Sequence, residues 1–559
     1  MRRLFIALLM VSGVAVGQAD EVQAELAQDV ILRAMVDELD RSLSGLALAD
    51  LERPYFIQFG LTDYRQAAVA AELGAVTGRS DYRSRNLYTD VRVGSYELDN
   101  TNFGGGYGAA GSGADLPIED DYHAIRQAFW WAADRDYKNV VETLAKKKAF
   151  MEDKIIADKP PDFSRETPAV HFEPRLPLEL DPMALEALAL RLAAIFREFG
   201  EIQSSAVTVN AYVANKYLVN TEGTRLRTGQ TMLAVSVSAT AQADDGMKLS
   251  DSLSFFGRRW QDLPPAEDLE RRCRELAARL IAVRQAPLLD GYTGPVLFDA
   301  PAAARVFQRQ FGYSFAGGQR PLGSRSDPED LANKLNKRIL PRFLNVVDDP
   351  LQTSIAGWPV MGSYQYDDEG VPAQAVKLVE NGRLLTLLMS RNPSKEIRQS
   401  NGHGRAGWGA PSAAVGCLIV NADPALNDQA LRQELLDYCA DEGLEYGLRV
   451  AALGEAGDGS AGRGRPRPGR GMQPLVMYKV YPDGREELVR GAEIARLDLK
   501  AFKRILAAGE TPFVLNTSAA GGQTFAVPAL LFEELDLVKI DRDFDKPPII
   551  PAPLTRTGD

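Results

Sequence analysis

Histidine and cysteine are scarce in this chain, three of each among 559 residues. The scarcity narrows the ways of holding a transition metal, because imidazole and thiolate are the usual donors. Cys273, Cys417 and Cys439 show no CxxC spacing, and an odd number cannot all pair as disulfides. All three are expected as small buried apolar side chains. There is no GxxxxGKS/T loop for a nucleotide and no GxSxG elbow for a serine hydrolase. Ser412 and Ser518 sit in small-residue loops with no histidine near them in sequence. Positive charge is in deficit, 64 Lys and Arg against 76 Asp and Glu, for a net charge of −12. That balance argues against nucleic acid as a partner. Past the N-terminus no apolar run is long enough for a transmembrane helix, so no stable membrane insertion is expected.

What is present begins with a short targeting pattern. Arg2 and Arg3 precede an apolar run from Leu4 to Val16, and Gly17-Gln18-Ala19 ends on a small residue before acidic sequence. This reads as a signal peptide over 1–19, cleaved near Ala19, and predicts an exported protein, periplasmic or extracellular, by a Sec or Tat route.

From there the chain divides into two compositional halves. Residues 20–290 alternate helical and strand patterns. Helical periodicity runs from Glu21 to Leu46 and from Ala124 to Phe150, with Lys146-Lys147-Lys148 expected at a solvated helix end. Strands are expected at Tyr55–Phe59, Ala67–Val76 and Asn86–Val93. Asp181-Pro182 is a helix start, an Asp cap with proline first. Alternating runs from Ala206 to Phe256, broken at Asn220–Gly223 and Asp244–Gly246, predict an antiparallel meander. A helix from Ala266 to Arg284 follows. From Gly294 glycine-punctuated strands dominate residues 291–556. Asn381-Gly382 marks a type I′ hairpin, and Asp423-Pro424 looks like a second Asp-Pro helix start. GDGSAGRGRPRPGRG, residues 457–471, cannot build a core and is expected as a solvated basic loop.

Several stretches together resemble the TldD/PmbA family, once called modulators of DNA gyrase. They are VNTEGTRLRTGQ from Val219, GPVLFDAPAAARVF from Gly294, NVVDDPL from Asn345, YDDEGVPAQAVKLVENGRLLTLLMSR from Tyr366, NGHGRAG from Asn401 and SAAGGQTFAVPALLFEELDLVKI from Ser518. The resemblance covers most of the chain from Ala206 onward and is loose before Pro177. It implies an α+β fold: an N-terminal α+β region with the meander and helices, then a mostly antiparallel β-rich domain, in a dimer enclosing a cleft.

TldD-type subunits carry HExxxH at the strand–helix junction and a cysteine in a late CGxxGQ segment. The metal these hold lowers the pKa of bound water towards roughly 7, which makes the nucleophile. Matching those motifs puts the first histidine at Asp299, the glutamate at Ala300, the second histidine at Ala304 and the cysteine at Ser518. Alanine cannot ligate, and a neutral serine hydroxyl is a weak donor. The chain thus looks like the PmbA (TldE) type, which lacks the metal motif and pairs with a TldD-type subunit. The expected role is a metal-free, non-catalytic subunit that binds extended, unstructured peptide and partners an HExxxH-bearing protease subunit. No cofactor is implied, and enzyme activity is left open. Alternatives are an active metallopeptidase with a non-standard site, for which Asp299 and His403 are the metal candidates, and a stand-alone homodimeric peptide-binding protein. His123 and His171 are expected as packing residues. Asp348-Asp349 and Asp367-Asp368-Glu369 are expected as turn chemistry rather than a cation site.

Overall fold

A computed structural model describes residues 22–104, 114–152, 154, 158–324, 330–406, 410–453, 472–541, 544–548, 550 and 553. The segment 1–19 and the Arg-rich stretch 457–471 lie outside the described residues.

Residue alternation organises the first half. Strands β1 (Pro54–Glu72) and β2 (Ala75–Val93) are 19 residues each and turn on Leu73 and Gly74, both at positive φ. The expected break between Phe59 and Ala67 does not occur. Asp63 and Arg65, which interrupt the apolar pattern, are paired in place with Arg83 and Asp81 on β2. Strands β3 (Ser204–Asn220), β4 (Arg225–Gln242) and β5 (Lys248–Gly257) form the predicted meander, and the order of the long strands is β2-β1-β3-β4-β5.

Odd-numbered residues of these strands face four helices. Ile57, Phe59, Leu61, Leu87 and Val219 pack on α1 (Val30–Gly45) and α2 (Tyr122–Glu152). Val69, Val207, Val209, Val235 and Val237 pack on α3 (Pro182–Ala194) and α4 (Ala266–Gln285). Asp63 lies in the strand between the two apolar clusters, fully buried, and accepts from Arg83, Arg85 and Arg175 at 2.9, 2.8 and 3.1 Å. The caps agree with the sequence at α3, where Asp181 accepts from the N–H groups of Met183 and Ala184. The three-lysine run departs from expectation. Lys147 is fully buried and donates to Asp162 (2.6 Å) and to the carbonyls of Asp99 and Thr101. It continues the inward stripe of Val140 and Leu144 at helical spacing, while Lys146 and Lys148 stay exposed.

In the second half, α5 (Ala300–Phe311) packs against two sheets. One contains β6 (Gly291–Phe298), β7 (Gly447–Leu453), β8 (Pro474–Val480) and β9 (Leu530–Lys539), in the order β8-β7-β6-β9. The other contains β10 (Leu344–Asp348), β11 (Val376–Glu380), β12 (Cys417–Ala422), β13 (Phe513–Thr517) and β14 (Gln523–Val527), in the order β11-β10-β12-β14-β13. Most pairs are antiparallel, but β6–β7 and β12–β14 are parallel, so both sheets are mixed. The Asn381-Gly382 hairpin has both residues at positive φ, as a type I′ turn requires. The Asp423-Pro424 expectation fails: α6 (Asp428–Asp441) starts later, capped by Asn427 accepting from the Ala430 N–H. All three cysteines are buried free thiols.

Candidate functional site

Helices cover only the odd face of the long sheet. On the even face the register aligns Asn86, Thr62, Lys216 and Thr228 in one row, and Tyr88, Gly60, Leu218 and Leu226 in the next. Gln66, Tyr212 and Met232 form a third. Opposite this polar and aromatic floor stand Tyr366–Asp368, Ala406, Pro411 and the loop Ser518–Gly521 of the second half. Together they enclose a cleft of about 790 Å3, a volume in the range of ligand sites.

The loop is shaped by its backbone. Ala520, Gly521 and Gly522 all have positive φ, at 47°, 78° and 117°. It is fastened by the Gln230 side chain donating to the Gly521 carbonyl at 2.5 Å and by Arg405 donating to the Ala520 carbonyl at 3.4 Å. Edge strand β13 feeds directly into it, running from exposed Phe513 to Thr517.

The acidic run Asp367-Asp368-Glu369 separates into three roles. Asp367 accepts from the N–H groups of Glu369 and Val371, which is the turn chemistry expected, and also from the distant Gly404 N–H. Asp368 accepts from the Ala406 N–H at 2.8 Å and lies 3.4 Å from Lys216 Nζ and 3.6 Å from Arg405 Nη1. Burial pushes its pKa up, but the two cations outweigh that and hold it below the usual carboxylate range. Glu369 is buried beside Asp367. Burial, then the Asp367 charge, push it up to about 8, against the Arg391 N–H that it accepts at 2.7 Å.

The positions matched to the metal motif fall in two separate places. Asp299 sits at the N-terminus of α5 without capping it. Its N–H donates to the Val450 carbonyl, and its carboxylate pairs with Arg449 at 3.0 Å. Ala304 is fully buried in the core, and Ala300 is half-buried against a separate apolar cluster with Leu297, Leu431 and Leu435. Ser518 instead lines the cleft. The donor set therefore does not fit a catalytic metal: one carboxylate committed to arginine, two methyl groups, and one hydroxyl with none of the other three beside it. Among the described residues no group of three or more His, Cys, Asp or Glu side chains is placed to hold a metal.

His403 is fully buried, with Nε2 3.3 Å from Asp348 and Nδ1 2.9 Å from the Asn401 carbonyl. Asp348 also accepts from the N–H groups of Gly416 and Cys417, so it ties two distant loops together rather than making a local turn. Asp349 does make the local turn, accepting from Leu351 N–H. Among the described residues the polar side-chain partners of His403, Asn401 and Asp348, differ from that of Asp299, Arg449. His123 is exposed against Tyr122, and His171 is half-buried against Tyr366.

Sequence reasoning found Ser518 through its motif but missed Lys216 and the tyrosines of the floor. The available signal was a lone lysine within a strand whose even positions are otherwise uncharged.

Residues 291–444 match the family model described as the PmbA/TldA metallopeptidase C-terminal domain, and residues 175–282 match the corresponding central domain. A metalloprotease of Methanothermobacter thermautotrophicus is 28% identical over 214 residues, 37% of this chain and 44% of that protein. One from Synechocystis is 27% identical over 180 residues, 32% of this chain and 36% of that protein. The chain thus spans less than half the length of these curated relatives. Among solved structures, TldE from Thermococcus kodakarensis superposes with a TM-score of 0.62 at 13% identity, covering 90% of this chain and 100% of that one. A putative modulator of DNA gyrase from Thermotoga maritima gives 0.58 at 16% identity, covering 86% and 96%. At such identities the likeness is one of fold.

Proposed function

The chain belongs to the PmbA/TldD metallopeptidase-like family, and from that premise we propose that it is an exported, metal-free subunit that holds extended polypeptide and pairs with an HExxxH-bearing partner. One observation carries the reading. The residue standing where the family motif has its cysteine, Ser518, opens onto a peptide-sized cleft, while the matched histidine and glutamate positions, Asp299, Ala300 and Ala304, lie elsewhere, in an ion pair and in apolar packing.

The neighbouring architecture suits an extended chain. Strand β13 is a sheet edge, and a peptide adding to that edge would be directed to Ser518 and the cleft. Main-chain pairing of this kind tolerates varied sequence, while the aromatic floor supplies contact area. Export rests on the pattern in residues 1–19, and pairing rests on the family's two kinds of subunit. The commitment of Asp299 to Arg449 and the enclosure of His403 count against a non-standard metal site built from them.

The test is incubation of the mature chain with a fluorescently labelled unstructured peptide, with and without chelator. Binding without cleavage is expected, with cleavage appearing only when an HExxxH partner is added. Chelator-sensitive cleavage by the pure chain would overturn the reading.

A further inference from the structure

Two cations meet at the Ser518–Gly521 lip of the cleft and share one carboxylate. Lys216 is the one cationic side chain among the described residues lining the cleft. Arg405 lies behind the loop, 6% exposed, stacked 4.0 Å from the centre of the Tyr364 ring. Their shared partner is Asp368, at 3.4 and 3.6 Å, longer than a direct charge-assisted hydrogen bond. Asp368 spends its short contact on the Ala406 N–H. Arg405 Nε has no hydrogen-bond partner among the described residues. Asp367, the other carboxylate on the cleft, is already taken up by three backbone N–H groups.

A third cation, Arg258, lies near Arg405. It presses its charge on Arg405, and its own guanidinium donates to the Ser363 carbonyl and hydroxyl. Arg258 is itself faced by Asp262 and Glu173, so the cations left to the lip are Lys216 and Arg405, with the Asp368 carboxylate between them. The backbone keeps the space between the cations open. A Cβ on Gly521 would stand 3.2 Å from Arg405 Nη2 and 3.7 Å from Lys216 Nζ. Thr62 and Thr228 flank Lys216 in its cross-strand row and offer hydroxyl donors beside it.

We propose that Lys216, backed by Arg405 across the bare backbone of Gly521, forms a carboxylate-binding subsite at the end of the cleft. It selects peptides that place a carboxylate at the Ser518 lip. The source is either the C-terminal carboxylate of the bound chain or an aspartate or glutamate side chain within it. This inference rests on the peptide-binding reading above and adds a chemical preference to it.

The test is fluorescence anisotropy on the full mature chain at low salt, with one unstructured peptide in four forms: free acid or amide at the C-terminus, each with an internal Glu or Gln. A carboxylate at the recognised position is expected to tighten binding about tenfold over its amide. The arm that shows the difference names the source. The preference is expected to vanish in Lys216→Met, persist in Lys216→Arg, and grow in Asp368→Asn, where the competing carboxylate is gone. Urea midpoints of the variants separate loss of preference from loss of fold. Equal binding of all four forms, or a preference unchanged in a folded Lys216→Met, overturns the subsite while leaving the cleft reading intact. Failure of every form to bind overturns both.

Discussion

Arg391 and Glu222 join the two halves of the molecule through a two-pronged ion pair, at 2.7 and 2.8 Å. The arginine is fully buried, donates also to the Ser164 carbonyl, and lies 3.9 Å from the centre of the Phe163 ring, which Arg92 also contacts. Tyr96 donates to Glu222 as well. Both residues of the pair thus have further ties, Arg391 through Nε and Nη2 to Ser164 and Glu222 through Oε1 to Tyr96, the condition under which a buried charge pair holds.

Removing one partner leaves the other charge buried. Arg391→Met is expected to cost roughly 3–5 kcal/mol, read as a fall in the urea midpoint. The double variant with Glu222→Gln should recover part of that loss, because the stranded carboxylate is gone. A midpoint unchanged in Arg391→Met would show that the junction does not depend on this pair.

Glu369 gives the junction a pH dependence whose sign can be stated. Its folded pKa is raised, to about 8 from an ordinary 4.5. Between those values the native chain keeps a proton that the unfolded chain releases, so stability falls as pH rises through that window and levels off above it; Asp367 beside it is raised too, to about 6, so the slope belongs to the two carboxylates together. One group contributes at most about 1.4 kcal/mol per pH unit. Glu369→Gln should flatten the slope and raise the urea midpoint at pH 8, since the amide oxygen can still accept from the Arg391 N–H. A slope identical in wild type and variant would assign the proton elsewhere.

These junction residues mark where sequence reading stops. Glu222 and Arg391 are 169 residues apart, and no local pattern announces their pairing. Elements defined by local rules were legible: the Asp181 cap, the Asn381-Gly382 turn, and the period-two pattern of the meander. Lys147 was misread because neighbouring lysines look alike in sequence, while helical geometry turns just one of them inward. The site was half legible. Ser518 came from a motif, but Lys216 gains meaning only when a long-range register places it opposite Asp368. Asp299 and Ser518 matched one motif set on paper, and the fold gives them separate neighbours.

Asp299 is expected to act as an ion-pair residue and not as a ligand. The pair with Arg449 is about a quarter to a third exposed on each side, so Asp299→Ala should lower stability by about 1 kcal/mol or less. Elemental mass spectrometry on tag-free protein should find no stoichiometric transition metal in either form. Zinc present in the wild type and lost from Asp299→Ala would make it a ligand.

Gly521 and Gly357 form a matched pair that separates backbone strain from crowding in the cleft. Their φ values are 78° and 79°. Alanine at either costs about 1 kcal/mol for the left-handed conformation. An added Cβ at Gly357 meets nothing within 4 Å, whereas at Gly521 it reaches Arg405 and Lys216. Gly521→Ala and Gly357→Ala should therefore lower the urea midpoint similarly. Peptide affinity should fall severalfold in Gly521→Ala alone, because only there does the methyl group enter the space between the two cations. Equal affinity in the two variants would mean that bound peptide does not reach the Ser518 lip.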